Sequence, residues 1–194
     1  MKAAEKYRLK KTTILGAAEQ LFLGLGYMGT TMDAVADEAG VTKQTVYRYF
    51  PSKVALFSAL IGHFDEDEME FFFGEAAVAE ELRSYGLAFL SRHMQPRNLA
   101  LFRLMIAESH DSGELGDIFR TQAQPHWSGR LIAYLRPHVP EGRAEGLAQF
   151  YNALLLSKRT NLLMGGGDCM SPDEIRLHVD QALDLFLNGA SLNR

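Results

Sequence analysis

The chain is 194 residues long and 47% hydrophobic, with 20 Lys and Arg against 24 Asp and Glu and a formal net charge of −4. That size allows one domain, or a small one joined to a larger, with enough apolar content for a sizeable core. A single cysteine, Cys169, excludes an intramolecular disulfide framework and fits a reducing compartment. No apolar run approaches the roughly 18 residues of a membrane span. No signal-peptide apolar region comes after the basic MKAAEKYRLKK, so a cytoplasmic protein with no membrane partner is expected.

The charge is unevenly spread. Met1 to Lys53 carry eight Lys and Arg against five Asp and Glu, and the remainder twelve against nineteen. A basic head can neutralise phosphates locally while an acidic body stays off the polyanion.

Residues 1–10 are charged and expected to fray. Lys2, Lys6, Arg8, Lys10 and Lys11 are there either solvated or within reach of a phosphate backbone. Ile14, Leu15, Ala18, Leu21, Phe22 and Leu25 give a helical face from Thr12 to Gly24. Gly24, Gly26 and Gly29 then break it.

The stretch Thr31 to Lys53 reads as two short helices around a tight corner. Thr31 caps the first, Val35, Ala36 and Ala39 form its stripe, and Gly40 tolerates the left-handed backbone at its end. Val41 plugs the corner and Thr42 caps the second helix. Val46, Tyr49 and Phe50 form that helix's apolar face, and Pro51 stops it. Ala36 lies four residues before Gly40 and branched Val46 six after it, the spacing of a helix-turn-helix. An ordinary helical hairpin is the plainer alternative. Thr42, Lys43, Gln44 and Thr45 make an exposed first turn able to hydrogen-bond, the end that meets base edges in the major groove.

Ser52 and Lys53 begin a connector helix through Val54, Leu56, Phe57, Leu60, Ile61 and Phe64. The acidic run Asp65 to Glu70 reads as a solvated face. Five further helices are expected: Leu82 to His93, Arg97 to Ser109, Leu115 to about Leu135, Arg143 to Met164 and Pro172 to Asn188. Pro125 should kink or split the third, and Ser171-Pro172-Asp173-Glu174 is a capping-box pattern for the last. No stretch alternates as a strand would. The fold class is all-α, with a three-helix head at 1–54 and a larger helical body at 55–194.

The last two helices are strongly apolar, through Leu147, Phe150, Leu154, Leu155 and Leu162 and through Ile175, Val179, Leu183, Phe186 and Leu187. Paired with symmetry mates they would make a four-helix interface, so a two-fold homodimer is expected. Phe89, His93, Met105, Glu108, Trp127, Tyr134 and Tyr151 are candidates to line an apolar pocket with a few orienting polar groups. An enzyme is not expected. HExxH, GxSxG, Walker and paired-cysteine patterns are absent, and the six histidines lack metal-ligand spacing. No metal and no cofactor is expected.

Ile14 to Phe22, then Gly26, Thr31, Ala36, Gly40, Val41, Thr45, Tyr47, Tyr49, Phe50, Lys53, Leu56 and Phe57 resemble the N-terminal domain of TetR-family transcriptional regulators. The run AGVTKQTVYRYFPSK carries most of the likeness. Phe102-Arg103-Leu104-Met105-Ile106-Ala107-Glu108, together with Gly113-Glu114-Leu115, is similar to the C-terminal domain of the AefR-like subgroup. The resemblance implies a homodimer with an all-α ligand domain, repressing from an operator in double-stranded DNA until a small-molecule effector releases it. By position it implies phosphate contacts from Thr31, Thr45, Tyr47, Tyr49 and Lys53, and base reading from Thr42, Lys43 and Gln44. Relatives commonly carry glycine or proline where this chain has Gln44, a stronger potential base reader.

Overall fold

The apolar stripes of helical spacing become helices in the computed structural model, which describes residues 3–66, 71–110, 112–122, 125–167 and 169–190. In chain order they are α1 (Ala3–Gly29), α2 (Met32–Glu38), α3 (Lys43–Tyr49), α4 (Lys53–Glu66), α5 (Val78–His93) and α6 (Pro96–Glu108). Next come α7 (Gly113–Gln122), α8 (Pro125–Leu135), α9 (Ala144–Leu155), α10 (Arg159–Leu163) and α11 (Pro172–Ala190), with a 3-10 turn at Arg136–His138. Among the described residues there is no strand, so the all-α class expected from sequence is the one observed. Lys2, residues 67–70 of the acidic run, and the side chains of His63 and His126 lie outside the described residues.

The chain forms two compact units, Met1–Asp67 with Leu101–Ala123, and Glu68–Ala100 with Gln124–Arg194. In the first, α2 packs on α1 and α3, while α4 packs on α1 and α7. Ile14, Leu15, Ala18 and Phe22 of α1 are buried with Val35 and Ala36 of α2, Val46 of α3, and Leu56, Phe57 and Leu60 of α4. Each large apolar side chain removed from water contributes about 1.5–3 kcal/mol, which α2 and α3 need. At seven residues each they are too short to persist alone.

Two expectations for this unit are corrected. The N-terminal stretch is helical from Ala3 rather than frayed. Leu25 is 58% exposed instead of completing the α1 face, and Tyr27 at 1% takes the inward place. Gly26, whose φ of 79° and ψ of 169° interrupt the helix, turns the residues after it to a different facing, and this brings Tyr27 inward. Tyr27 then joins Phe22 and Phe57 in a ring cluster with centroids 5.1–5.7 Å apart.

In the second unit α5 packs on α9 and α11, and α9 also packs on α8 and α11. Leu82, Tyr85, Phe89, Leu131, Leu135, Leu147, Tyr151, Leu155, Val179 and Phe186 are in its core. Pro125 starts α8 as a separate helix, because a proline has no N–H to continue the previous one. The helix expected from Arg143 to Met164 is instead two, α9 and α10. Between them Ser157 and Arg159 donate to carbonyls only three residues back, Leu154 and Leu156. His178 Nε2 lies 3.2 and 3.1 Å from the Leu154 and Leu155 carbonyls, a partner for acceptors the break leaves exposed. The capping box opens α11: Ser171 N–H donates to Glu174 Oε2 at 2.8 Å, and Glu174 N–H to Ser171 Oγ at 3.3 Å.

Gly86 sets how closely α5 approaches its neighbours. A Cβ there would lie 2.8 Å from the Tyr151 hydroxyl and 2.9 Å from Val179 Cγ1. Gly129, exposed on α8, has nothing within 4 Å of that position. In urea unfolding, Gly86→Ala is expected to lose about 1–3 kcal/mol through overpacking, whereas Gly129→Ala is expected to gain about 0.5–1 kcal/mol from helix propensity. Equal effects at the two sites would refute the close-packing account.

Candidate nucleic-acid interface

The helix-turn-helix corner is built from local hydrogen bonds that its sequence supplies. Thr31 Oγ1 accepts from Ala34 N–H at 3.1 Å and starts α2. At the other end Gly40, with φ 60°, gives its N–H to the Asp37 carbonyl at 3.1 Å, and Val41 gives its own to Ala36 at 3.0 Å. That double closure needs the left-handed residue glycine provides. Thr42 Oγ1 then accepts from Thr45 N–H at 3.2 Å and lies 2.9 Å from the Thr45 hydroxyl, so the cap of α3 and its first turn are tied together.

This turn presents the predicted base-reading group. Thr42, Lys43 and Gln44 are all exposed on consecutive positions. Lys43 is already engaged: its ammonium lies 2.7 and 2.9 Å from the two carboxylate oxygens of Asp33 in the first turn of α2. It also sits 5.9 Å above the Tyr47 ring. An exposed pair of this kind adds little stability; its effect is to fix where the charge stands. Asp33 was not among the predicted residues, because its partner is ten positions away and on another helix.

The predicted phosphate-contacting residues divide. Thr31 and Thr45 hold caps, with Thr31 exposed and Thr45 half-buried, and Tyr47 is 42% exposed. Tyr49 is half-buried, with its ring stacked 4.6 Å from Tyr7 of α1 and the Arg48 guanidinium 5.4 Å away. Lys10 and Arg48 flank Thr42 and Thr45 around an open concavity of about 550 Å³. Lys53 points inward: its ammonium donates to the Tyr27 carbonyl at 2.8 Å and the Thr30 carbonyl at 3.1 Å, 4.4 Å from the Tyr27 ring. Two of its three donors are thereby used.

The predicted pocket residues fall in both compact units. Met105 and Glu108 belong to the first, where Met105 is core and the Glu108 carboxylate accepts the N–H groups of Tyr27 and Met28. The other five belong to the second. The Phe89 ring lies 4.0 Å from His93, tilted by 35°, and meets Trp127 edge-on at 5.7 Å. Tyr134 stacks on Phe73 at 4.0 Å, and Tyr151 is fully buried beside Tyr85. Sequence reasoning passed over Phe71, Phe73 and Tyr85, which link these rings into one aromatic cluster. Tyr85 donates to Asn152 Oδ1 at 2.9 Å and Tyr151 to the Leu82 carbonyl at 2.9 Å. Burial holds both phenols well above their ordinary value. Burial also lowers His93 to about 4, against the partial support of its 2.7 Å contact with the Phe89 carbonyl.

Taken together, the first unit offers an exposed donor group on a capped helix end, and the second a deep aromatic cluster with few polar groups. Comparison with known proteins matches two successive segments of the chain. Residues 14–60 match bacterial regulatory proteins of the tetR family, and residues 80–189 match the C-terminal domain of AefR-like transcriptional repressors. The HTH-type transcriptional regulator RutR of Escherichia coli strain K12 is 44% identical over 52 residues, 27% of this chain and 24% of RutR. The matched segment thus spans about a quarter of the curated relatives' length. A TetR-family transcriptional regulator from Mesorhizobium loti has the same fold, with a TM-score of 0.77 at 23% identity over 97% of this chain and 98% of that one. A structure titled Flavonoid-responsive Regulator FrrA matches with a TM-score of 0.75 at 28% identity, over 93% of this chain and 96% of that one.

The buried His93 makes stability depend on pH. In the unfolded chain the imidazole titrates near 6.5, so between pH 6.5 and about 4 the unfolded state binds the proton more readily than the folded state does. Stability should therefore fall as pH drops through that window, by at most about 1.4 kcal/mol per pH unit from this group. His93→Gln is expected to flatten the fall in thermal midpoint across pH 6.5 to 4. An unchanged profile would remove His93 as its source.

Proposed function

Because the chain belongs to the TetR family of bacterial regulatory proteins, we propose that it is a sequence-specific, DNA-binding transcriptional regulator. In this reading it is a repressor, released from a pseudopalindromic operator by a small molecule. The observation that carries the proposal is the exposed first turn of α3, with Thr42, Lys43 and Gln44 presented on a helix end fixed by its own cap.

Lysine can donate to guanine O6 and N7, and glutamine can pair bidentately with adenine. Thr31, Thr45, Tyr47, Tyr49 and the third donor of Lys53 serve the phosphates, holding register without reading sequence. Phosphate contacts by cationic side chains make affinity fall with salt, by about 0.9 log units per phosphate neutralised per log unit of salt. In functional terms residues 1–54 read DNA and 55–194 bind ligand and partner.

A homodimer through α9 and α11, the elements that stand where the last two helices were expected from sequence, is supported by apolar side chains left in the open on both. Phe150 is 68% exposed and Leu185 64%, around a concavity of about 360 Å³ between those helices. Exposed apolar groups clustered in this way mark association surfaces. A two-fold dimer would place two α3 helices on half-sites about 34–36 Å apart. FrrA is described as flavonoid-responsive, and by that likeness the effector proposed here has a flat apolar body. The effector releases DNA in proportion to its preference for the non-binding state. The reading calls on no cofactor and no metal.

Selection from a random duplex pool at near-physiological salt tests this. A two-fold-related motif should be enriched, and retention without any motif would defeat the proposal. With that motif in hand, Lys43→Ala and Gln44→Ala should each relax preference at one position per half-site by about 1–3 kcal/mol. Tyr47→Phe should weaken all duplexes alike. Identical behaviour of the two kinds of variant would dissolve the division between base and phosphate contacts.

A further inference from the structure

Glu108 ends α6, eighty residues from the segment it binds, and it takes no part in the proposed DNA contacts. Its Oε1 accepts the Tyr27 N–H at 3.0 Å and its Oε2 the Met28 N–H at 2.9 Å. Those two donors lack helical partners because Gly26 interrupts α1, and the first N–H groups after such a break have no carbonyl behind them. Gly26 and Glu108 are mutually fitted. A Cβ at Gly26 would lie 2.4 Å from Glu108 Oε1, and the φ of 79° is one that L side chains rarely adopt.

The clamped segment is a junction. Thr30, 1% exposed, donates its hydroxyl to the Gly26 carbonyl at 2.8 Å. The carbonyls of Tyr27 and Thr30 receive the Lys53 ammonium from the first turn of α4. The Tyr27 hydroxyl donates to Glu114 Oε2 of α7 at 3.3 Å. The next residue, Thr31, caps α2, and α2 closes directly onto α3 through Val41 and Gly40. Glu108 is a side chain of α6 that holds this junction.

We infer that Glu108 is a positioning residue for DNA recognition: by clamping the Tyr27 and Met28 amides it fixes where α2 and α3 stand. The inference rests on the DNA-reading function proposed for the chain. It makes a prediction opposite in sign to simple electrostatics. Removing a negative charge near a DNA-binding surface should strengthen association with a polyanion. If Glu108 positions the junction, removing it weakens association.

The test uses the full chain and the selected duplex, with anisotropy titrations at several salt concentrations. Glu108→Gln keeps the shape but offers an NH₂ where one of the two amides needs an acceptor. It is expected to bind at least tenfold more weakly than the parent with an unchanged salt slope, because no phosphate contact is lost. Binding is measured below the unfolding midpoint, so a change in global stability alone leaves the affinity where it was. Hydrogen exchange should quicken at Tyr27 and Met28 and through α2 and α3, but not in α9 or α11. Unchanged or tighter binding, or faster exchange confined to Tyr27 and Met28, overturns the inference. Should Glu108→Gln fail to fold, Glu108→Asp keeps the charge and shortens the reach. It should show the same losses to a smaller degree, and equality with the parent is again fatal. If the parent itself selects no motif, the DNA-reading function falls, and the exchange pattern alone decides whether Glu108 holds α2 and α3.

Discussion

A backbone amide that loses its helical partner must find another acceptor, and that requirement at the break in α1 organises the first compact unit. Gly26 leaves the Tyr27 and Met28 N–H groups unserved by α1, and the carboxylate of Glu108 takes both. The carbonyls on the same stretch take the Lys53 ammonium. A carboxylate on the donors and an ammonium on the acceptors are charge-assisted bonds, stronger than neutral ones. They come from α6 and α4, so one kink joins α1 to helices far along the chain. The Tyr27 ring then turns inward against Phe22 and Phe57, and the apolar core closes over the stretch these polar contacts have fixed.

That arrangement explains how two seven-residue helices can present a reading surface at all. Neither α2 nor α3 has the length to persist by itself. Each has a threonine cap at its start, and a glycine closure ends the first. Val35, Ala36 and Val46 bury the faces between them. Rigidity at Thr42 to Thr45 is thus borrowed from both directions, from the core below and from the junction at Tyr27 to Thr31.

The features legible in the sequence are local ones. Thr31, Gly40 and Thr42 act within three or four residues of themselves, as do Pro125 and the Ser171–Glu174 box, and each does in the structure what its spacing implied. The hidden features are distant ones. Leu25 fits the α1 stripe by period yet is exposed, and it is Tyr27, redirected by the Gly26 dihedrals, that takes the inward place. The division of α9 from α10 involves His178, more than twenty residues on. The Tyr85 ring links aromatic side chains from several elements that no periodicity would group. Glu108 reads on a helical wheel as a polar residue at a helix end. Nothing within ten positions reveals that its partners are the amides at 27 and 28.

The Lys43–Asp33 pair extends this logic to specificity. An isolated lysine is an indiscriminate charge, attracted to any phosphate within a Debye length. With both Asp33 oxygens within 3 Å, two of the three Lys43 donors are engaged and one is open to another acceptor. A lone phosphate oxygen offers one acceptor. A guanine edge offers O6 and N7 together, and so it competes better for the same donor. The carboxylate also repels phosphates that approach out of register. Discrimination between partners is a difference of affinities, and it grows when the wrong partner is penalised as well as when the right one is rewarded. In the proposed DNA-reading role, Asp33 would lower the affinity available to any duplex while widening the gap between duplexes, the balance a reader of sequence among a large excess of random DNA requires.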